Sequence, residues 1–372
     1  MTRRLLTISH SYVVALNRAV PNAIARQGWD VTIVAPPHFP GDLRPIALER
    51  ETGEAAWLEA VPMRSSRRVH WMRWGRQLRQ LLDRDWDIVH AWEEPYVLAG
   101  AQVARWKRRG KLVFATFQNI SKRYPAPVRW LERYAMARAD AWIAFGTTVE
   151  QALGTRHGYA ARPHRVIPPG IDVNRFTIDA GARATVRQTS GFGPADVVVG
   201  FAGRFVPEKG VRTLVEALDR VRVPWKALLI GGGALEPELR RWAAAAGRAR
   251  IVTDATHGQM AQYLNAMDLI AVPSRTTPRW REQFGRVIVE AMACGVPVVA
   301  SDSGEVPHVV GDAGLLVGEA DIEGWVRAME RLIGDEELRE RLAVRGRARA
   351  AEFSVDASAR RHVAFFEELL AA

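Results

Sequence analysis

Two hydrophobic rhythms alternate along this chain. Short apolar runs, many of them β-branched, recur at 4–9, 30–35, 87–91, 111–117 and 141–145, with 165–167 leading into Pro-Pro-Gly. A second series follows Asp196: VVVGFAG, KALLIGGG, ARIVTD, LIAVPS and VPVVAS. Such runs suit strands buried on both faces of a parallel sheet. Between them apolar residues recur at helical spacing. Helices are expected at 17–27, with Pro21 near the first turn and Gly28 closing it, at 95–109 before Gly110, and at 128–139. Another starts near Thr147, which with Glu150 has the spacing of a capping box. The span 41–63 fits two short strands and a loop, and 65–82 reads as a basic helical segment. The tail reads as helical over 322–352 and again from about 355 to 370.

This alternation predicts an α/β protein whose parallel sheets are covered by helices. A chain of 372 residues is long for one core, so two domains are expected. Pro168, Pro169 and Gly170, then a polar stretch with Gly191, Gly193 and Pro194, mark a link over about 170–195. The expected division is 1–170, 171–352 and a closing helix at 353–372.

Residues 281–301, REQFGRVIVEAMACGVPVVAS, organise the second half. Gly285 ends a loop, and 286–294 is a helix closed by Gly295 and stopped by Pro297. The helix is apolar almost all round and should be buried. Yet it carries Glu290, and Glu282 lies eight residues earlier. A carboxylate on a buried helix needs a partner. In one reading that partner is a ligand. The free N–H groups of the helix start face an anion such as a diphosphate. A helix rises roughly 7 Å over the five residues to Glu290. A phosphate at the helix start then puts a ribose beside Glu290 and a hexose beside Glu282, whose carboxylates accept from paired hydroxyls. In the other reading Glu290 complements the helix dipole and Glu282 is a loop charge.

A second stretch, GRFVPEKG at 203–210, sits between an apolar strand and the helical run VRTLVEALDRV. Strand, glycine loop and helix is the setting of a phosphate cradle, although the spacing fits neither a Walker loop nor a dinucleotide fingerprint. Arg204 is suited to grip a phosphate with two hydrogen bonds, and Lys209 supplies a point charge. The plainer alternative makes both solvated loop cations. Ile230 and the three glycines after it form another glycine loop, or a simple tight turn.

Taken together, VPS at 272–274, Glu282-Gln-Phe-Gly, VIVEAMACGVPVVAS and the GRxxxxKG loop closely resemble the donor-site signature of family 4 glycosyltransferases. The resemblance implies the GT-B fold, with two Rossmann-like domains facing across a cleft and a C-terminal helix crossing back to the first. It implies that Glu282, with the backbone of Phe284 and Gly285, holds the donor sugar. Val287 N–H then lies near the phosphate, Glu290 binds the ribose, and Gly203, Arg204 and Lys209 form the phosphate loop. The implied reaction moves a hexose-type sugar from a nucleoside-diphosphate sugar to a hydroxyl acceptor with retention of anomeric configuration. The departing diphosphate takes the acceptor proton while Arg204, Lys209 and the helix start stabilise its charge. No cofactor or metal is expected beyond the nucleotide-sugar co-substrate. Gln283 stands where many members have glycine, and a longer loop, RTTPRWR, precedes Glu282; both bear on which sugar is taken.

The first half is the acceptor side by the same resemblance. Where many members carry a Gly-Gly loop, this chain has Ser9-His10-Ser11-Tyr12. Where many carry a histidine, it has Gln118, followed by Asn119, and glutamine can donate a hydrogen bond but cannot carry a proton. His10 follows a strand's C-terminal end, where α/β proteins bind ligands, and Glu93 and Glu94 follow another. His90 lies within a buried run and reads as structural. Asp83 and Asp85 mimic a metal-binding pair but fall before a strand, on the wrong side for a site.

Composition adds three points. Cys294 is the single cysteine, which excludes intramolecular disulfides and cysteine metal clusters and makes a cytoplasmic location the default. The apolar run at Leu5 to Ile8 is too short for a signal-peptide core, and no run approaches the length of a membrane span. The net charge of +11 fits nucleic acid, an anionic membrane surface or anionic small substrates. No nucleic-acid-binding signature accompanies it. Nine of the 13 tryptophans lie before residue 143, and two of them, Trp71 and Trp74, interrupt the basic run 64–82. Two expectations stand for that run: a helix on the inner membrane face that brings the enzyme to a glycan or lipid-linked acceptor of cell-surface polysaccharide or glycolipid synthesis, or an ordinary amphipathic helix with Trp71, Leu78 and Leu82 in the core. The rival functions are a nucleotide-sugar epimerase on the same fold and a non-enzymatic basic nucleic-acid-binding protein.

Overall fold

The computed structural model describes residues 2–40, 45–65 and 67–372. The chain divides into two compact units, Met1–Gly170 with Val355–Ala372, and Ile171–Ser354.

The first unit is built on seven parallel strands: β1 (Arg4–Ile8), β2 (Asp30–Ala35), β3 (Trp57–Ala60), β4 (Ile88–Ala91), β5 (Lys111–Thr116), β6 (Ala141–Ala144) and β7 (His164–Val166). Their order is β7-β6-β5-β4-β1-β2-β3. Leu5 pairs with Val31 on one side and Ile88 on the other. The chain thus works outward from β1 in one direction, then returns to build the other half from β4. The reversal lies between β1 and β4, and in open α/β sheets ligands bind at the C-terminal ends flanking such a point. Leu5, Leu6 and Ile8 are fully buried, as a strand covered on both faces requires. Thr7 is buried with them and joins Tyr12 Oη at 2.8 Å and His90 Nδ1 at 3.0 Å. His90 also packs against His362 and Phe366 of the closing helix, Val355–Ala371. Burial holds both imidazoles below their usual pKa, His362 at about 4, so they serve as neutral core groups.

The second unit has six parallel strands: β8 (Val198–Ala202), β9 (Lys226–Ile230), β10 (Ala249–Val252), β11 (Leu269–Val272), β12 (Val298–Ser301) and β13 (Gly314–Val317). The order β10-β9-β8-β11-β12-β13 puts the reversal between β8 and β11. The loops after those two strands carry the two motifs singled out in the sequence.

Several expectations change. The run 65–82 is not one helix. It holds a short ribbon pairing Met63 with Trp74, a 3-10 turn at Val69–Trp71, and a helix only at Gln77–Leu82; Ser66 lies outside the described residues. The core therefore takes Trp74, Leu78 and Leu82 while Trp71 stays 48% exposed. In the span 41–63, residues 41–44 lie outside the described residues, and Ile46–Ala47 and Trp57–Ala60 are strands. The capping box at Thr147 does not form: Gly146 is the N-cap, and Glu150 bonds His164 Nε2 instead at 2.9 Å. Residues 180–190 of the expected link are a helix of the second unit, tied in by Arg183 and Arg187 on Asp268. The helical tail breaks at Asp335, whose side chain caps the next helix through Leu338 N–H.

Candidate functional site

The phosphate-loop residues are placed by glycines packed backbone to backbone. Gly203 N–H donates to Ile230 O at 2.9 Å, and Phe205 N–H to Gly232 O at 2.8 Å. Gly231 has φ +141°, and a Cβ there would lie 1.9 Å from Gly203 O. Gly210 has φ +67°, and its Cβ would lie 1.6 Å from Pro273 O. No side chain fits either place, so the loop after β8 is pressed onto the loops after β9 and β11.

That packing brings Lys209 and Glu282 together, 73 residues apart in sequence. Lys209 Nζ donates to Glu282 Oε2 at 2.6 Å, and Ser274 Oγ donates to the same oxygen at 2.8 Å. Glu282 is buried, so the pair is a charge-assisted bond in a shielded place rather than a surface contact. Arg204 stands apart: its side chain is half exposed, and among the described residues its ion-pair partner is Glu208, at 4.0 Å. Its guanidinium is available to an incoming anion.

Phe284 is buried against Phe353, and Gly285, at φ +77°, turns the chain into the helix Arg286–Ala293. The first N–H groups of that helix, Val287 among them, point out of its start as in any α-helix. Glu290 is buried one turn on. Arg286 Nε lies 3.7 Å from its Oε1, too far for a hydrogen bond, and among the described residues Oε1 has no hydrogen-bond partner. Burial raises the Glu290 pKa against the pull of Arg286 and Arg175, and burial lowers that of Arg286. A buried carboxylate oxygen without a donor is costly unless a ligand supplies one. Three partners are not evident from sequence: Ser274 on Glu282, Arg286 beside Glu290, and Trp280 beside Lys209. Ser274 stood in the VPS run, but nothing in its type pointed to a carboxylate.

In the first unit a second polar group gathers at the ends of β1, β4 and β5. Glu93, its side chain fully buried, accepts from His10 N–H at 2.7 Å and from His10 Nδ1 at 2.9 Å. Burial pulls the His10 pKa down, but the Glu93 charge and hydrogen bond outweigh it and the net shift is upward. The other nitrogen, Nε2, is thereby left to donate or accept elsewhere. Glu94 accepts from Thr116 Oγ1 at 2.5 Å and Phe117 N–H at 2.8 Å, and burial pushes its pKa up to about 7. Gln118 is buried and donates from Nε2 to Ile120 O at 3.2 Å, and among the described residues its Oε1 has no hydrogen-bond partner. Asn119 is buried beside it in sequence. His10 and Glu93 are thus brought together, Gln118 and Asn119 follow a nearby strand end, and His90 is confined to the core. Asp83 and Asp85 pair with Arg108 and Arg109. Among the described residues no group of three or more His, Cys, Asp and Glu side chains is arranged to hold a metal ion.

Comparison with known proteins fits this geometry. Residues 18–175 match the family model of Glycosyltransferase Family 4, and residues 196–335 that of glycosyl transferases group 1. The chain is 32% identical over 303 residues to D-inositol 3-phosphate glycosyltransferase of Corynebacterium jeikeium, covering 76% of this chain and 69% of that protein. It is 40% identical over 192 residues to the GDP-mannose-dependent α-(1-6)-phosphatidylinositol monomannoside mannosyltransferase of Mycolicibacterium smegmatis, covering 49% and 50%. Sucrose-phosphate synthase from Thermosynechococcus elongatus shares the fold at a TM-score of 0.75 and 22% identity over 99% of both chains. Anabaena HepE in complex with UDP-glucose does so at 0.74 and 21%, over 99% of this chain and 100% of that one. The protein belongs to the family 4 glycosyltransferases, and its two α/β units have the GT-B fold. The chain spans about half the length of most of the curated relatives it matches, and 69% of the Corynebacterium protein. Neither the epimerase nor the nucleic-acid reading draws support from these relatives.

Proposed function

We propose that this protein transfers a hexose-type sugar from a nucleoside-diphosphate sugar to a hydroxyl acceptor, with retention of configuration. The observation that carries the proposal is the convergence of Lys209, Glu282, the Gly285 helix start and the buried Glu290 at one end of one sheet. Each offers what a nucleotide sugar needs. The helix start and Arg204 receive the diphosphate, and Glu290 Oε1 accepts from a ribose hydroxyl. Glu282 accepts from the sugar. Lys209, already on Glu282, links the sugar end to the phosphate end and stabilises charge as the diphosphate leaves. Acceptor recognition is assigned to the His10–Glu93 pair, with Gln118 and Asn119. No resident metal is part of this reading.

The mannosyl and inositol-phosphate chemistry in the relatives' names supports a glycolipid or cell-surface glycan acceptor. Peripheral attachment to an anionic membrane surface is the accompanying proposal. Among the described residues no helix is long and apolar enough to cross a membrane.

Arg204→Ala and Lys209→Ala test the assignment. Each should lower transfer about a hundredfold or more with an intact fold by circular dichroism, since each removes a donor aimed at developing charge. Turnover at the wild-type rate in both would sink it.

A further inference from the structure

Trp280 is held in place by a turn that serves no core. The loop 275–281 is anchored at several points. Arg275 N–H donates to Glu208 O at 2.9 Å, and Thr276 donates from N–H and Oγ1 to Glu319, at 2.6 and 2.5 Å. Thr277 N–H donates to Trp280 O at 2.8 Å, and Trp280 N–H returns to Thr277 Oγ1 at 2.9 Å. The indole at the end of this turn is half-buried and belongs to none of the hydrophobic clusters of the second unit. Its ring centroid lies 5.0 Å from Lys209 Nζ, the ammonium that binds Glu282.

Such a residue needs a reason. A tryptophan outside the core leaves apolar surface in water, and five hydrogen bonds hold the loop of this one beside the Lys209–Glu282 pair. A pyranose has hydroxyls at its rim and C–H groups on its faces. Carboxylate and ammonium suit the rim; a flat indole suits a face. Ligand sites are commonly built this way, with aromatic walls and a few polar groups that fix orientation.

We propose that Trp280 reads the donor sugar: its indole is the wall on which the hexose ring lies once the diphosphate is bound, and it sets which sugars are accepted. This rests on the donor site proposed above. Thr276, Thr277 and Glu319 act as positioning residues through the loop. The contact acts on the sugar and not on the nucleotide, which separates it from a mere brace for Lys209.

The test is calorimetry of UDP, GDP, UDP-glucose and GDP-mannose on the full chain, as wild type, Trp280→Ala and Trp280→Phe, with thermal melting as the check of folding. For the base the wild type prefers, Trp280→Ala should weaken the nucleotide sugar about tenfold, or 1.4 kcal/mol, and leave the bare diphosphate within about twofold. Trp280→Phe, which keeps an aromatic face, should recover most of the loss. Equal weakening of sugar nucleotide and diphosphate would make Trp280 a brace for Lys209 and overturn the proposal. So would unchanged affinities in both variants. A wild-type protein that binds none of the four ligands removes the donor site itself, and the Trp280 proposal with it.

Discussion

Glu282 and Glu290 are both buried carboxylates, yet their surroundings differ in a way that separates their roles. Glu282 has both Lys209 and Ser274 on one oxygen. Glu290 has the Arg286 guanidinium at 3.7 Å and, among the described residues, no donor on Oε1. The first is held and ready; the second is incomplete until something donates to it. Glu290→Gln should therefore weaken the nucleoside diphosphate itself about tenfold, because the amide cannot give a ribose hydroxyl the charged acceptor it lacks. Glu282→Gln should spare the diphosphate and weaken the intact nucleotide sugar. Isothermal calorimetry with both ligands checks this, and the reverse pattern would exchange the two roles. The sequence showed that both carboxylates stood near one helix. The missing donor on Oε1 is a matter of angstroms between Arg286 and Glu290, which spacing cannot resolve. Likewise His10 and Glu93 were each named separately, but their pairing depends on β1 and β4 being neighbours.

At the scale of elements, the site is made by loops that only glycine lets touch. Gly210→Ala should be costly twice over, for the positive φ and for a Cβ 1.6 Å from Pro273 O. A loss of at least about 2 kcal/mol is expected, seen as a lower melting temperature, together with weaker donor binding as Lys209 moves off Glu282. Gly232→Ala is the control, since a Cβ there meets nothing within 4 Å. Equal melting temperatures for the two variants would mean the loop yields easily. Elements were most legible where one pattern dominated: the doubly buried strands, and the helix Arg286–Ala293 between its glycines. They were least legible where basic and apolar residues interleave. The run 65–82 satisfies helical spacing, but a cross-ribbon pairing of Met63 with Trp74 competes for the same residues and wins. The Thr147–Glu150 capping box lost in the same way, because His164 on β7 offers Glu150 a partner that no local pattern reveals.

For the whole molecule, charge is the property that sequence alone left open, and the surface of the first unit bears on the proposed membrane attachment. Arg64, Arg67, Arg68 and Arg73 are exposed around Val69 and Trp71, which are 55% and 48% exposed. His70 of this turn touches the ring of Tyr124, and the helix Ala126–Arg138 that follows exposes Trp130 at 61%. Trp130 stacks on Tyr134, which in turn carries the Arg138 guanidinium at 3.8 Å. Exposed tryptophans among arginines are the groups that settle at a bilayer interface, and each cation near an anionic surface contributes about 1 kcal/mol. Neither expectation for this run holds whole: the helix covers only Gln77–Leu82, Leu78 and Leu82 join the core as an amphipathic helix requires, and Trp74 is buried while Trp71 is exposed. Co-sedimentation with vesicles should therefore show binding that requires anionic lipid and falls with added salt. Arg67→Glu, Arg68→Glu and Arg73→Glu together reverse three of the charges, and should reduce binding at least tenfold. Trp71→Ser should reduce it on anionic vesicles without changing the salt dependence, because the indole contributes burial and not charge. Equal recovery on neutral and anionic vesicles would leave the +11 charge to substrate attraction alone.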